Sequence, residues 1–255
     1  MKQQDPIRDS LSRTTAFFQP IVDLNTGQML GAETLARVRQ ADGTFRSPAD
    51  IIDAIEENLD HLELLMIALF RTIADKIVPL FERHRDFYIS VNVPPTIIGS
   101  GRLRSILDSF KLSNHAHRLV CEITERQALT DAGRAALTHA RDMGIRIAMD
   151  DFGTGHSGLK QLIGLQLDIL KLDKSQIDPL MKDPTADRVL RGVVALAGAL
   201  RLKVIAEGVE KPEQAFFLRA AGVDGGQGWL WSKAVPPEEL EQLIVGRFEQ
   251  YGFLK

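Results

Sequence analysis

Residues 119–150 have the sequence LVCEITERQALTDAGRAALTHARDMGIRIAMD, in which two short apolar runs flank a longer amphipathic segment. The runs LVCEI (119–123) and IRIAMD (145–150) are typical of buried strands, because they are short, apolar and partly β-branched. Residues 132–143 between them have the periodicity of a helix with one apolar face. A strand, a helix and a second strand in this order predict a βαβ unit with parallel strands.

The same alternation extends on both sides of this unit, from Asp86 onward. The other predicted strands are YISVN (88–92), DILKLD (168–173), KVIAE (203–207) and the weaker GVDGGQ (222–227). Another helix is predicted over Asp187–Leu200, with an apolar stripe that consists of Val189, Leu190, Val193, Val194, Ala197 and Leu200. This repetition predicts a parallel sheet covered by helices.

The N-terminal third has a different pattern. Two apolar segments, Phe17–Val22 and Gln28–Val38, flank Asn25, Thr26 and Gly27, which favour a hairpin turn between antiparallel strands. A long helix follows, with a predicted buried stripe of Leu62, Leu65, Met66, Leu69, Phe70, Ile73 and Ile77.

The whole pattern predicts one domain over residues 1–255, with a core over about 14–250, because no repeat or linker interrupts the chain. The expected fold is an α/β barrel of the TIM type with an antiparallel first strand. An open doubly wound sheet is the alternative.

Composition excludes several classes of function. The chain has 31 basic and 34 acidic residues without a long run of either sign, so nothing favours binding to a DNA or RNA polymer. The longest apolar stretch, Leu64–Phe70, is too short to cross a membrane, and the N-terminus lacks the apolar core of a signal peptide. Cys121 has no second cysteine with which to form a disulfide. We therefore expect a cytoplasmic protein.

Polar side chains follow the predicted strands at the point where each strand ends. These residues are Asn92, Glu122, Asp150, Asp151, Lys171, Glu207 and Gln227. Strand ends are often polar because they meet solvent, and for any single position that is the simpler interpretation. In a barrel, however, the C-terminal ends of all strands surround one mouth, where active sites are built. Six consecutive polar ends favour such a site.

The hairpin contributes to the same mouth. In GAETLARVR (31–39), strand alternation puts Glu33, Leu35 and Arg37 on one face and Thr34 on the other. Glu33 and Arg37 could form a surface ion pair, but the other acids favour a position in the mouth.

The predicted mouth collects more acids than cations. The acids are Glu33, Glu122, Glu125, Asp150, Asp151 and Glu207, and the cations are Lys171 and Arg37. Mutual repulsion would raise carboxylate pKa values there, and bound cations would relieve it. Carboxylates with one amide oxygen, from Asn92, suit Mg²⁺ or Mn²⁺ better than Zn²⁺. The Asp150–Asp151 pair suggests two metal ions and phosphoester hydrolysis.

A competing motif is GTGHSG (153–158), which matches the G-x-G-x-x-G dinucleotide fingerprint, with Asp173 at a suitable distance. Two aspartates beside a pyrophosphate, and half the chain before the motif, argue against a nicotinamide site. A loop over the mouth is the preferred interpretation.

Eight motifs together resemble one known family. They are FQPIV (18–22), ETLAR (33–37), SVN (90–92), EITE (122–125), DDFGTG (150–155), LKLDKS (170–175), AEGVE (206–210) and GQGWLWSK (226–233). Their order and spacing resemble the EAL-domain family of cyclic di-GMP phosphodiesterases. The resemblance implies a modified TIM-type (β/α) barrel, two divalent cations (Mg²⁺ or Mn²⁺), and hydrolysis of one phosphodiester bond of cyclic di-GMP to linear pGpG.

The resemblance also implies roles for individual residues. Glu33, Asn92, Glu122, Asp150, Asp151 and Glu207 match metal ligands. Lys171, with Glu207 and Gln227, matches the group that orients the attacking water, and Glu125 matches the anchor of the DDFGTG loop. Gln19, Leu35, Arg37 and Asp173 match substrate contacts.

Three positions depart from the family pattern: Thr34 replaces an alanine, and His156 and Gly158 stand where Tyr and Ser are common. The alternative to an enzyme is a degenerate module that only binds cyclic di-GMP or a protein. The resemblance further implies a homodimer, and possible fusion to a sensor or membrane segment in a longer protein.

Overall fold

The sheet of the computed structural model, which describes residues 5–153, 164–246 and 248, closes into a barrel. The strands are β1 (Thr14–Asp23), β2 (Met29–Arg39), β3 (Phe45–Arg46), β4 (Tyr88–Asn92), β5 (Leu119–Thr124), β6 (Arg146–Phe152), β7 (Ile169–Leu172), β8 (Lys203–Ala206) and β9 (Gly225–Gly226). Their order is β1-β9-β8-β7-β6-β5-β4-β2-β3, and a further β1–β2 pairing closes the ring of eight, with β3 appended to β2.

The direction of pairing matches the sequence pattern. β1 is antiparallel to both of its neighbours, β2 and β9, whereas each pairing from β2–β4 round to β8–β9 is parallel. The predicted TIM-type barrel with an antiparallel first strand is therefore confirmed, and the open doubly wound sheet is wrong. Closure brings the C-terminal ends of the parallel strands round one mouth.

Helices surround this barrel. They are α1 (Pro6–Ser12), α2 (Ile52–Glu56), α3 (Leu59–Thr72), α4 (Val78–Arg83), α5 (Pro95–Gly99), α6 (Arg102–Ser109), α7 (Glu125–Ala128), α8 (Asp131–Asp142), α9 (Lys174–Ile177), α10 (Pro184–Ala199), α11 (Pro212–Ala220) and α12 (Pro237–Val245). The long predicted helix is α3, which passes into a π-helical turn, Ile73–Ile77, before α4. No helix of the described residues is long and apolar enough to cross a membrane.

Helix α1 was not predicted from the sequence. Its seven residues bury only Leu11, so it has too little apolar periodicity to be recognised. Its start is instead fixed by local chemistry: Asp5 accepts hydrogen bonds from the backbone N–H groups of Ile7 and Arg8 at 3.0 and 3.3 Å, and Pro6 begins the first turn.

The predicted stripe of α10 is partly wrong. Leu190 and Ala197 are buried, but Val189 is 59% exposed. Val189 precedes Leu190 by one position, which is about 100° around the helix, and that rotation takes it off the buried face.

Apolar packing fills the lower part of the barrel interior and leaves the mouth to polar groups. A small interior cluster consists of Ile21, Tyr88, Val120, Ala148, Ile169 and Ile205. Cys121 directly follows Val120 on β5 and is a buried free thiol that packs in the larger cluster instead. The polar side chains at the strand ends therefore lie above an apolar floor, which limits solvent screening of their charges.

Candidate active site

The ammonium group of Lys171, on β7, lies among four carboxylates in the barrel mouth. Its Nζ is 2.5 Å from Glu207 Oε1, 2.7 Å from Glu122 Oε2, 3.3 Å from Asp150 Oδ1 and 4.0 Å from Glu33 Oε2. Lys171 is 2% exposed. Residues from four separate strands or strand ends thus converge on one buried cation.

Amide side chains hold Glu33 from two sides. Gln227 Nε2 donates to Glu33 Oε2 at 2.6 Å, and Asn92 Nδ2 donates to Glu33 Oε1 at 2.9 Å. Gln227 Nε2 also lies 3.2 Å from Gln19 Oε1, to which it donates. Gln19 and Glu33 face each other in the β1–β2 register, so the hairpin delivers both residues to the same place.

The charge balance of this cluster shifts several pKa values. Burial, reinforced by the neighbouring carboxylates, raises the pKa of Glu122 to about 8 and that of Glu207 to about 7. Burial alone would lower the pKa of Lys171, but the surrounding carboxylates hold it well above its usual value. Burial and then the adjacent Asp150 raise the pKa of Asp151. The described cluster therefore carries more acidic groups than its single lysine neutralises.

The donor set fits a hard divalent cation. Carboxylate and amide oxygens are the ligands that Mg²⁺ and Mn²⁺ prefer, and the buried Oε1 of Gln227 has no hydrogen-bond partner among the described residues. Within those residues no three His, Cys, Asp or Glu side chains are arranged to hold a metal ion. The ammonium of Lys171 lies between the carboxylates and supplies the local positive charge. The residue types of a magnesium or manganese site are therefore present, but here their oxygens are directed at the lysine.

A bulge in strand β6 contains Asp150 and Asp151. The pairing with β7 shifts register between Met149 and Phe152, and Asp151 has a φ of 54°, in the left-handed region. The backbone N–H of Asp151 donates to Asp150 Oδ1 at 3.0 Å. Such a bulge changes the direction in which consecutive side chains point, and a non-glycine residue keeps this conformation only where its surroundings enforce it.

Glu125 anchors the backbone directly after β6. It is buried in the first turn of α7, and its Oε2 accepts a hydrogen bond from the backbone N–H of Gly153 at 2.9 Å. The loop expected from GTGHSG, with His156 and Gly158, lies largely outside the described residues, which resume at residue 164.

Two cavities flank the cluster. One, of about 360 Å³, is lined by Leu35, Arg37, Asn92 and Glu122 together with apolar residues of α3. The other, of about 390 Å³, is lined by Gln19, Glu33, Leu35, Lys174, Glu207, Gly208, Glu210, Gln227, Gly228 and Trp229. Leu35 lines both, so the predicted substrate contacts of the hairpin border the carboxylates on two sides.

Arg37 and Asp173 each have partners of their own. Arg37 is half-buried and its guanidinium carbon lies 5.9 Å from the centre of the Phe17 ring. Asp173 caps α9 by accepting from the backbone N–H of Ser175 at 2.9 Å. The hydrogen bonds from Ser175 and Lys174 lower the pKa of Asp173.

The sequence did not predict that Thr34 and Trp229 would line the cavities beside the carboxylates. Thr34 lies on the face opposite Glu33, as alternation predicts, yet it lines the 360 Å³ cavity, and its buried hydroxyl has no hydrogen-bond partner within the described chain. Trp229 lines the other cavity and is 64% exposed. Alternation assigns a face to a side chain, but it carries no information about a cavity beyond that face.

Comparison with known proteins agrees with this fold. Residues 5–234 match the family model described as the EAL domain. The chain belongs to the EAL-domain family. This EAL chain is 35% identical over 227 residues to "Probable cyclic di-GMP phosphodiesterase PdeB" of Escherichia coli (strain K12), a match that covers 87% of the chain and 43% of that relative. It also spans less than half the length of the other curated relatives compared.

Solved structures of this family have the same fold. The EAL-domain protein from Listeria monocytogenes EGD-e is 31% identical with a TM-score of 0.77, and the match covers 95% of this EAL chain and 98% of that protein. The PaMucR phosphodiesterase, solved as a complex with c-di-GMP, is 30% identical with a TM-score of 0.79, over 92% and 97% of the two chains.

Proposed function

We propose that this EAL domain hydrolyses one phosphodiester bond of cyclic di-GMP to give linear pGpG, with the help of two divalent cations, Mg²⁺ or Mn²⁺. The observation that carries the proposal is the buried Lys171 among Glu33, Glu122, Asp150 and Glu207. The name of the Escherichia coli relative and the c-di-GMP complex of the PaMucR phosphodiesterase support the choice of substrate.

Six oxygen-bearing residues would hold the metal ions, directly or through water. They are Glu33, Asn92, Glu122, Asp150, Asp151 and Glu207. Bound divalent cations would polarise the phosphoryl oxygens and lower the pKa of water at the site. Gln227 and Asn92, which donate to the two oxygens of Glu33, fix the direction of that carboxylate.

Lys171 acts in the chemical step. Its ammonium donates a hydrogen bond to the attacking water and offsets the negative charge that develops on the phosphoryl oxygens. The water oxygen forms a bond to phosphorus and gives up a proton to Glu207, while the bond from phosphorus to the ribose 3′ oxygen breaks and that oxygen takes up a proton from solvent. Glu207 is placed to accept the proton of the water, because its Oε1 lies 2.5 Å from the Lys171 ammonium that holds that water.

The remaining predicted residues bind and position. Arg37 pairs with a phosphate of the dinucleotide, and Gln19, Leu35 and Asp173 contact the rest of it. Glu125 acts through the backbone, since it holds Gly153 directly after the paired aspartates.

The test is product formation. The purified protein is incubated with cyclic di-GMP and Mg²⁺ or Mn²⁺, and pGpG is sought by chromatography. Appearance of pGpG, and its loss in excess chelator, is the expected result. Tight binding of cyclic di-GMP without product would identify a receptor module instead.

We propose in addition that the domain acts in the cytoplasm and associates as a homodimer. Light scattering at assay concentrations tests the second point, and a monomer with full activity would contradict it.

A further inference from the structure

Trp229 is a large aromatic side chain left exposed at the edge of the carboxylate cluster. It is 64% exposed, whereas Trp231, two residues later, is 6% exposed. Trp229 lines the 390 Å³ cavity together with Glu33, Glu207 and Gln227. The exposed indole therefore offers a flat apolar surface beside the carboxylates, which a ligand in this cavity can cover.

The turn that carries Trp229 is firmly attached to the rest of the site. A Cβ on Gly228 would lie 2.0 Å from the carbonyl oxygen of Val209, so only glycine allows the two backbones to approach this closely. Val209 N–H donates to the carbonyl of Gln227, and Leu230 N–H donates to the carbonyl of Val209, both at 3.0 Å. The indole is therefore held on a backbone fastened to the segment that carries Glu207.

The same turn is tied down on its far side. Phe18 and Val235 exchange backbone hydrogen bonds of 2.8 and 2.9 Å, and Gln19 Nε2 donates to the carbonyl of Ser232 at 3.3 Å. Fixed attachment at both ends means that a ligand meeting Trp229 does not have to order the loop first, which lowers the entropic cost of binding.

A cation lies over the ring of Trp229. Lys233 Nζ is 4.7 Å from the ring centroid, so the ammonium covers one face. With that face covered, the ring is still 64% exposed, which leaves surface on which a second planar group can stack.

We propose that Trp229 is the stacking platform for one purine base of the cyclic dinucleotide whose phosphate is hydrolysed at Lys171. This inference rests on the proposed function. A nucleobase is flat, has a π-face on each side and is joined through one ribose to the phosphate, so it has to lie close to the reacting group. The cavity shared by Glu33, Glu207 and Trp229 offers that arrangement, and aromatic side chains bind bases of nucleic acids by such stacking.

Three substitutions at Trp229 distinguish binding through the aromatic face from binding through apolar volume alone. Trp229→Phe keeps an aromatic face, Trp229→Leu keeps apolar volume without a π-face, and Trp229→Ala removes both. We expect KM for cyclic di-GMP to stay within about threefold in the Phe variant and to rise by about 5- to 100-fold in the Leu and Ala variants. The kcat values should stay within about threefold of wild type, because Trp229 does not touch the reacting atoms.

The control is Phe216→Ala. Phe216 is 63% exposed and has the guanidinium of Arg219 5.4 Å from its ring centre, but it lies on α11 and lines neither cavity beside the cluster. This variant should have wild-type KM and kcat. Circular dichroism of each protein establishes that the fold is retained, and the Phe and Leu variants remain informative if the Ala variant is unstable.

A second measurement follows binding without turnover. In Ca²⁺, cyclic di-GMP should quench the fluorescence of the wild type, and Trp229→Phe should lose most of the quenching while calorimetry gives nearly the same affinity. If the wild type neither cleaves nor binds cyclic di-GMP, the proposed function fails and the stacking proposal with it. If the wild type binds or cleaves it and the Leu and Ala variants match wild-type affinity and KM, or if only kcat falls, the stacking proposal alone is overturned.

Discussion

Lys171 Nζ lies 2.7 Å from Glu122 Oε2, and both side chains are at most 2% exposed. An ion pair with so little solvent depends on the groups around it, because each charge has lost its hydration. Here three more carboxylates surround the same ammonium, so the lysine is the positive centre of the mouth and not one half of an isolated pair.

Lys171→Ala should reduce kcat by about 100- to 1000-fold, by analogy with loss of one donor that stabilises a transition state. Affinity for cyclic di-GMP, measured by calorimetry in Ca²⁺, should change only a few fold. Lys203→Ala is the control, since Lys203 is an exposed lysine paired with Asp224 at the start of β8 and should be dispensable. Binding lost in proportion to rate would make Lys171 a substrate anchor.

Metal dependence should be strict. We expect excess chelator to abolish pGpG formation and Mg²⁺ or Mn²⁺ to restore it, while Ca²⁺ binds with little turnover because it is larger and less demanding of octahedral geometry. Full activity in chelator would contradict the role given to the carboxylates.

Individual carboxylates should matter in the same assay. Glu33→Ala or Asp150→Ala removes a proposed metal ligand and should lower the rate at least about 100-fold. Asp42→Ala, at an exposed acid in a surface turn, is the matched control and should leave the rate unchanged. If Asp42→Ala lowered the rate as much as Glu33→Ala or Asp150→Ala, the carboxylates would act only through the net charge of the protein.

The metal-free protein should lose stability as pH rises from about 5 to 8. Burial and neighbouring acids raise the pKa of Glu122 to about 8 and that of Glu207 to about 7, above the values of the unfolded chain. In that window the folded protein therefore holds more protons than the unfolded one, so the free energy of unfolding falls as pH increases. Urea unfolding in chelator at pH 5.5 and pH 8 should differ by more than about 1 kcal/mol.

Glu122→Gln should flatten this pH dependence, because it replaces the titrating carboxyl by a neutral amide of the same shape. A free energy of unfolding that increases from pH 5.5 to pH 8 in chelated wild type would contradict the assigned direction.

Thr34→Val should leave activity within about threefold of wild type and raise stability by about 1 kcal/mol, because it keeps the shape of the side chain and removes a buried hydroxyl without a partner in the described structure. Thermal unfolding with steady-state kinetics checks both expectations. Thr34→Ala, which also removes a methyl group, should likewise remain active. A large loss of rate in either variant would assign the hydroxyl to the substrate.

Periodicity was sufficient to predict the barrel strands and the convergence of their polar ends, because burial on a parallel sheet imposes a pattern on neighbouring residues. It predicted Glu33, Leu35 and Arg37 on one face of β2 for the same reason. It did not predict that Lys171 would lie between Glu122 and Glu207, since contacts across the barrel depend on stagger and tilt of strands that are far apart in sequence.

The features that the sequence did not predict have related causes. Helix α1 depends on the cap at Asp5 more than on an apolar face, so its sequence lacks the helical periodicity. Val189 is exposed although Leu190 is buried, because the two side chains point in different directions around the axis of α10. Trp229 lies in the GQGWLWSK motif, but the sequence did not distinguish it from the buried Trp231, because its exposure depends on the turn around Gly228.

One of the two strands that have only two residues joins β8 to β1 in the ring. β9 consists of Gly225 and Gly226, and it lies between β8 and β1. Gln227, the next residue, donates to Glu33 across 194 positions of sequence. During synthesis on the ribosome Glu33 emerges 194 residues before Gln227, so a nascent chain that stops before Gln227 lacks this contact. The carboxylate of Glu33 therefore gains both of its amide donors only after β9 has been made, which couples assembly of the site to closure of the barrel.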